Sequence, residues 1–288
     1  MIKNYLSLIK FSHTIFAMPF ALVGFCIGTL QSANGLNIRL LGLVILCMIF
    51  ARSAAMAFNR YLDRDIDEKN PRTAIREIPL GIISPKNALL FVITNCLGFV
   101  LATYCINSLC FYLSPVALLV VLGYSYTKRF TAFCHIVLGL GLSLAPIGAY
   151  LAVTGAFALL PILYSFAVLL WVAGFDIIYA LQDEKFDRSL ALNSIPVRLG
   201  TKNALQLSTF MHIASAVIIL FAGYTLQSKL PVFEYLHWIG AAVYVGLLFY
   251  QHTLVKADDL SKVNLAFFTT NGIASVIFGG FIILDALL

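Results

Sequence analysis

Nine runs of apolar residues, each close to the length of one membrane crossing, occupy about residues 12–33, 38–59, 87–106, 109–126, 135–153, 161–182, 205–226, 234–254 and 265–285 of the 288-residue chain. A helix needs about 20 mostly apolar residues to cross the hydrocarbon of a bilayer, whereas a membrane β-strand shows alternating segments of about 10. The runs are continuous, so they predict helices. Together they predict an all-α integral membrane protein, a nine-transmembrane-helix bundle formed as a single domain over residues 1–288. Charged residues are 11% of the chain, against roughly 25% in a soluble domain, and the mean hydropathy is +0.93. No separate soluble domain fits between the runs. The first run contains Pro19 and follows only Lys3 and Lys10, with no small-residue cleavage pattern, so it reads as a retained helix and not a signal peptide.

Lysine and arginine set the orientation, because they accumulate in cytoplasmic loops. With the N-terminus cytoplasmic, sixteen of the 19 basic residues fall on that side; Arg39 and Lys229 fall outside, and Arg52 lies within the second run. A bacterial-type inner membrane protein with its working face toward the cytoplasm is expected. The net charge of +6 is accounted for by this topological signal and by attraction to anionic lipid headgroups. Nucleic acid binding is excluded, since that needs a basic surface domain. The cysteines at 26, 47, 96, 105, 110 and 134 form no C-x-x-C pair and read as small packing residues.

The acids are the unexpected feature. Nine of the 13 cluster in or beside two long cytoplasmic loops, 60–86 and 183–204. The two regions resemble one another. The first reads Asn59-x-x-x-Asp63-x-x-x-Asp67 and later "LGIISPKNAL" from Leu80; the second reads Tyr179-x-x-x-Asp183-x-x-x-Asp187 and later "LGTKNAL" from Leu199. They follow the second and sixth runs, which implies two pseudo-repeated halves with a site between them.

Residues four apart on a helix lie about 40° apart around the axis and about 6 Å along it. Asn59, Asp63 and Asp67 therefore form one ladder of oxygen ligands, and Tyr179, Asp183 and Asp187 a second, with Asp176 on the same face if the helix continues. Asp65, Glu68 and Glu184 fall off these faces and read as solvated helix ends. A carboxylate at a helix centre in lipid costs about 2.5–3.5 kcal/mol, so the ladders must face a polar cavity. Paired carboxylates call for a cation between them, and hard oxygen donors favour Mg2+, which also binds phosphate oxygens. Two ladders facing each other would clamp a metal diphosphate. The basic residues available to its anionic part are Arg64, Arg72, Arg76, Lys128, Arg129, Arg188 and Arg198, arginine being suited to phosphate and carboxylate oxygens.

These segments, "NRYLDRDID", "RTAIREIPLG", "YSYTKRFT" from Tyr124, "DIIYALQDEKFD" and "NSIPVRLG", resemble the UbiA superfamily of intramembrane aromatic prenyltransferases over nearly the whole chain. The resemblance implies transfer of a polyprenyl group from a polyprenyl diphosphate to the ring of an aromatic acid in quinone biosynthesis. It puts Asn59, Asp63, Asp67, Asp183 and Asp187 on the Mg2+ diphosphate motifs; of the basic residues on that side, Arg72, Arg76, Lys128 and Arg198 are expected to bind the diphosphate. It puts Arg129 where the hydroxybenzoate branch has a basic residue for the aromatic carboxylate, with Arg64 a second candidate. Asp176 and Tyr179 fall on the extended second motif and are expected beside the aromatic substrate; Asp183 is expected to assist deprotonation. "YALQDEKFDR" looks like the 4-hydroxybenzoate branch. "FSHTIFAMPFALVG", which includes His13 as a residue for the substrate cavity, and "NSIPVRLG" resemble a branch that prenylates a naphthoate for menaquinone by the futalosine route. Ala191 and Leu192 stand where a Gly-containing pair is usual in the hydroxybenzoate branch.

The remaining histidines and most aromatics read as packing residues, and the glycines of "GLGLSLAPIG" from Gly139 read as permitting close helix contact. A cation-coupled transporter is the rival of another class. It predicts acids at mid-span with helices broken there, whereas these acids gather at the cytoplasmic ends. A lipid phosphotransferase of the CDP-alcohol type would need a D-x-x-D-G-x-x-A-R pattern, which is absent. No feature nominates a protein partner.

Overall fold

The computed structural model describes residues 2–10, 16–33 and 35–288; His13 lies outside the described residues. No β-strand forms among them. The helices are α1 (Ile2–Leu8), α2 (Met18–Gln31), α3 (Ile38–Leu62), α4 (Arg64–Asp67), α5 (Pro85–Tyr104), α6 (Ser108–Thr127), α7 (Cys134–Thr154), α8 (Leu159–Ala180), α9 (Glu184–Ser189), α10 (Ile195–Lys229), α11 (Leu236–Leu254) and α12 (Asn271–Leu287). Among the described residues, seven helices are long and apolar enough to cross a membrane. The first and eighth runs of the sequence correspond to the 14-residue α2 and the 19-residue α11, which are not among the seven.

Helix starts follow local chemistry. Asn37, Ser84, Asn107 and Ser194 accept hydrogen bonds from backbone N–H groups three residues on, satisfying donors that a helix start leaves open, and Pro85 and Pro196 sit where no N–H is needed. Helix α8 packs on α7 and α10, α2 on α7 and α12, and α11 on α12, while α3, α5 and α6 form a second group against α7.

Lipid is as apolar as leucine, so packing between spans depends on close contact and buried hydrogen bonds more than on water expulsion. Trp171 on α8 supplies both. Its ring meets those of Phe20, Phe175 and Tyr244, and its Nε1–H donates to Asn271 Oδ1 at 2.8 Å. Gly139 permits the α7–α8 approach expected of it, since a Cβ there would lie 2.4 Å from the Leu169 carbonyl oxygen.

The internal resemblance extends to the backbone. Asp63 ends α3 with φ −90°, ψ 5°, and Asp183 ends the turn after α8 with φ −102°, ψ 0°, both in the sparsely used bridge region where many active-site residues sit. Farther on, Gly81 and Gly200 of the two Leu-Gly segments have φ 70° and 73°, a conformation open to glycine and costly to other residues. The ladders are therefore not straight helices, and the structure corrects that expectation. Each is bent at its middle aspartate, yet Asp63 N–H still donates to Asn59 O and Asp67 N–H to Asp63 O, at 2.9 and 2.7 Å. The four-residue spacing survives the bend.

Candidate active site

The first ladder leaves α3 at Asn59, turns at Asp63 and continues through α4 to Asp67. Asp63 and Asp67 are buried, at 2% and 4% exposure, so each needs compensation. Asp63 receives Asn59 Nδ2 at 3.2 Å, Lys128 Nζ at 2.9 Å and Arg129 Nη2 at 3.2 Å. Both oxygens of Asp67 accept from Arg76 Nη1, at 2.6 and 2.7 Å.

The second ladder leaves α8 at Asp176 and Tyr179, passes the short turn Leu181–Asp183 and continues in α9 to Asp187. Asp183 is gripped from the first loop. Arg72 donates through Nε at 3.0 Å and through Nη2, and Asn70 Nδ2 donates at 3.2 Å. The third guanidinium nitrogen, Nη1, donates to Tyr179 Oη at 2.9 Å, and the group lies over the Tyr179 ring. Burial alone would lower the Arg72 pKa, but the Asp183 and Tyr179 contacts outweigh it and hold it above the ordinary arginine value. Among the described residues, Asp187 is the one ladder carboxylate with no ion pair. Burial disfavours its charge and Asp183 repels it, while Lys128 and Arg72 attract it from a distance.

Three loops thus close on one another. The 60–84 loop reaches Asp183 through Asn70 and Arg72. Lys128, after α6, salt-bridges Asp63 and acts on Asp187, and its carbonyl accepts from Asn193 N–H at 2.7 Å. Four carboxylates, Asp63, Asp67, Asp183 and Asp187, face four cations, Arg72, Arg76, Lys128 and Arg129, so their formal charges balance.

Two expected residues stand apart. Arg64 donates to its neighbour Tyr61 O at 2.7 Å and stacks over that ring, 3.6 Å from Asp65. Arg198 is exposed, and among the described residues its side chain meets only that of Asn193, at 3.4 Å. Glu184, off the ladder face, ties α9 to α10 by accepting from Arg188 and Thr201 at 3.0 and 2.8 Å. Deeper in the bundle, Asp176 accepts from His135 at 2.7 Å. Tyr124 lies within electrostatic range of Asp63, Asp176, Arg52 and Arg60, and Arg60 is 6% exposed with Nε and Nη1 unpaired among the described residues. Sequence reasoning missed Asn70, His135 and Arg60. The only signal for Asn70 was its place in the charged stretch before Pro71. A cavity of about 410 Å3 lined by Asn37, Arg39, Asn107 and Thr154 lies at the other end of α3 and is no part of this site.

The model of the UbiA prenyltransferase family matches residues 17–273. The chain belongs to the UbiA prenyltransferase family. It is 33% identical over 264 residues to a 4-hydroxybenzoate octaprenyltransferase of Nitrosomonas eutropha, covering 91% of this chain and 89% of that protein. Among solved structures, the apo form of a UbiA homolog from Aeropyrum pernix K1 is 31% identical with a TM-score of 0.84, covering 96% of this chain and 98% of that one. A UbiA homolog from Archaeoglobus fulgidus bound to GPP and Mg2+ shares the fold at 21% identity and a TM-score of 0.75, covering 99% and 100%. The chain is thus a membrane prenyltransferase, and it carries the two bent ladders described above.

Proposed function

We propose that this UbiA-family enzyme transfers a polyprenyl group from its diphosphate to the ring of 4-hydroxybenzoate, with Mg2+, at the cytoplasmic face of a bacterial inner membrane. In this reading nine helices span the bilayer as two pseudo-repeated halves with the N-terminus inside. The observation that carries the reading is the crossing of Arg72 and Asn70 from the first ladder's loop onto Asp183 of the second. That crossing makes the two ladders one site.

The donor set fits the metal. Asn59, Asp63, Asp67, Asp183 and Asp187 offer hard oxygens only. Among the described residues no three carboxylate, histidine or cysteine side chains form a metal cluster by themselves, so substrate oxygens would complete the coordination, as suits Mg2+. When bound, Mg2+ would supply Lewis-acid neutralisation of charge on the departing diphosphate. Because the four carboxylates are already balanced, a diphosphate arriving alone would leave the site negative. One arriving with divalent cations would not.

The chain's own residues do the rest. Arg72, Arg76 and Lys128, released from the aspartates, bind diphosphate oxygens; Arg198 lies farther out. Arg129 holds the aromatic carboxylate in preference to Arg64, which is turned to Tyr61. Asp176 and Tyr179 line the acceptor side, and the apolar bundle keeps water from the allylic cation. The prenyl carbon–oxygen bond breaks with its electron pair leaving on diphosphate, and the ring carbon beside the hydroxyl forms the new bond. The ring proton then leaves to a carboxylate of the second ladder, Asp183 being the nominee.

A naphthoate acceptor is the second reading, favoured by one observation. Ala191 stands where a Gly-containing pair is usual in the hydroxybenzoate branch, and it holds φ +52° without being glycine. Purified protein incubated with Mg2+, a long-chain prenyl diphosphate and either 4-hydroxybenzoate or a dihydroxynaphthoate decides by mass spectrometry. Product with 4-hydroxybenzoate supports the first reading, product with the naphthoate alone supports the second, and no product with either overturns both.

A further inference from the structure

Asp176 is the deepest acid of the second ladder, on the last turns of α8, and a carboxylate there needs a partner to offset its lost hydration. One side chain holds it here. His135 Nδ1 lies 2.7 Å from Asp176 Oδ2, and His135 Nε2 lies 3.3 Å from the backbone nitrogen of Ile195. A backbone N–H only donates, so Nε2 is the accepting nitrogen, the ring is neutral, and its proton sits on Nδ1 and points at the carboxylate. The start of α10 therefore sets the tautomer.

Orientation follows from burial. The His135 side chain is 4% exposed and that of Asp176 is 22% exposed, so the histidine stands behind and the carboxylate in front. Among the described residues Asp176 Oδ1 has no hydrogen-bond donor. The same carboxylate is within electrostatic range of Tyr124, which also senses Asp63, Arg52 and Arg60. Asp176 thus fronts the floor of the site, beneath the first ladder.

We propose that His135 is a positioning residue for the aromatic acceptor: it fixes Asp176 Oδ2 and leaves Oδ1 to accept a hydrogen bond from the acceptor's hydroxyl. The Ile195 bond couples that orientation to the start of α10, and the residues just before α10 are fastened again where Asn193 N–H meets the Lys128 carbonyl at 2.7 Å. This rests on the reading of Asp176 as an acceptor-side residue. A histidine that served only to satisfy the Ile195 N–H would leave acceptor binding unchanged.

The test compares KM for the aromatic acid with KM for the prenyl diphosphate. A hydrogen bond to a charged group contributes about 1.5–3 kcal/mol, so His135→Phe should raise the acceptor KM about ten-fold or more and leave the donor KM within about two-fold. His135→Asn, which keeps a donor near the δ position, should recover most of that loss. In an Asp176→Asn background His135→Phe should add nothing. An unchanged acceptor KM in Asp176→Asn alone overturns the reading of Asp176 and the role of His135 with it. A raised KM in Asp176→Asn with an unchanged one in His135→Phe overturns the positioning role only. Should His135→Phe not fold, nitrogen NMR of the wild-type protein in detergent decides. The proposal requires a protonated Nδ1 whose N–H signal shifts when the aromatic acid is added. A proton on Nε2, or no shift, overturns it.

Discussion

Removing Arg72 should move metal and diphosphate affinity in opposite directions. Arg72 engages both oxygens of Asp183 and the Tyr179 hydroxyl, so it competes with any cation for Asp183. Charge-assisted bonds of this kind contribute about 1.5–3 kcal/mol when shielded. The Arg72 side chain is 35% exposed, so solvent screening reduces the net to about 1–2 kcal/mol. Arg72→Ala should accordingly tighten Mg2+ binding without diphosphate by about 5- to 30-fold. The same variant should weaken a non-reactive prenyl diphosphate analogue measured at saturating Mg2+ by about ten-fold or more, because a phosphate-directed guanidinium is lost. Titration calorimetry on purified protein in detergent reads both numbers. Weaker metal binding in Arg72→Ala without diphosphate would refute the argument that Arg72 competes for this site.

The two ladders should also differ in how they tolerate mutation. Asp67→Ala strands the half-buried Arg76 and should cost about 2–3 kcal/mol of stability by thermal denaturation in detergent, whereas Asp187→Ala breaks no ion pair and should be near neutral; both should abolish transfer. Ala191→Gly relieves a left-handed backbone conformation and should stabilise the protein by about 1 kcal/mol without changing turnover; a destabilised variant would contradict the strain. Arg129→Ala should raise KM for the aromatic acid about ten-fold with a smaller change for the prenyl diphosphate, and the reverse pattern would move Arg129 to the diphosphate.

Much of this site was legible in the sequence because its determinants are local. Apolar runs mark helices through periodicity and length, and carboxylates four residues apart share a helix face whatever follows. The bends at Asp63 and Asp183 were hidden because the four-residue hydrogen bond survives through Asp63, so the side-chain pattern looks the same with or without a bend. Pairings across the chain were hidden for another reason. Arg72 meets Asp183, 111 positions further along the chain, and His135 meets Asp176, 41 positions further along; neither leaves a spacing signal. His135 looked like an ordinary packing residue, and its burial agrees with that. Only the position of its two ring nitrogens, between a carboxylate and a backbone N–H, sets it apart.

The central claim is that both ladders hold one metal diphosphate, and binding tests it more directly than turnover. A non-reactive prenyl diphosphate analogue should bind the purified protein only with Mg2+, and Asp63→Asn in the first ladder or Asp187→Asn in the second should each weaken that binding by about a hundred-fold. Binding that persists without Mg2+, or that either substitution leaves intact, would contradict a shared site.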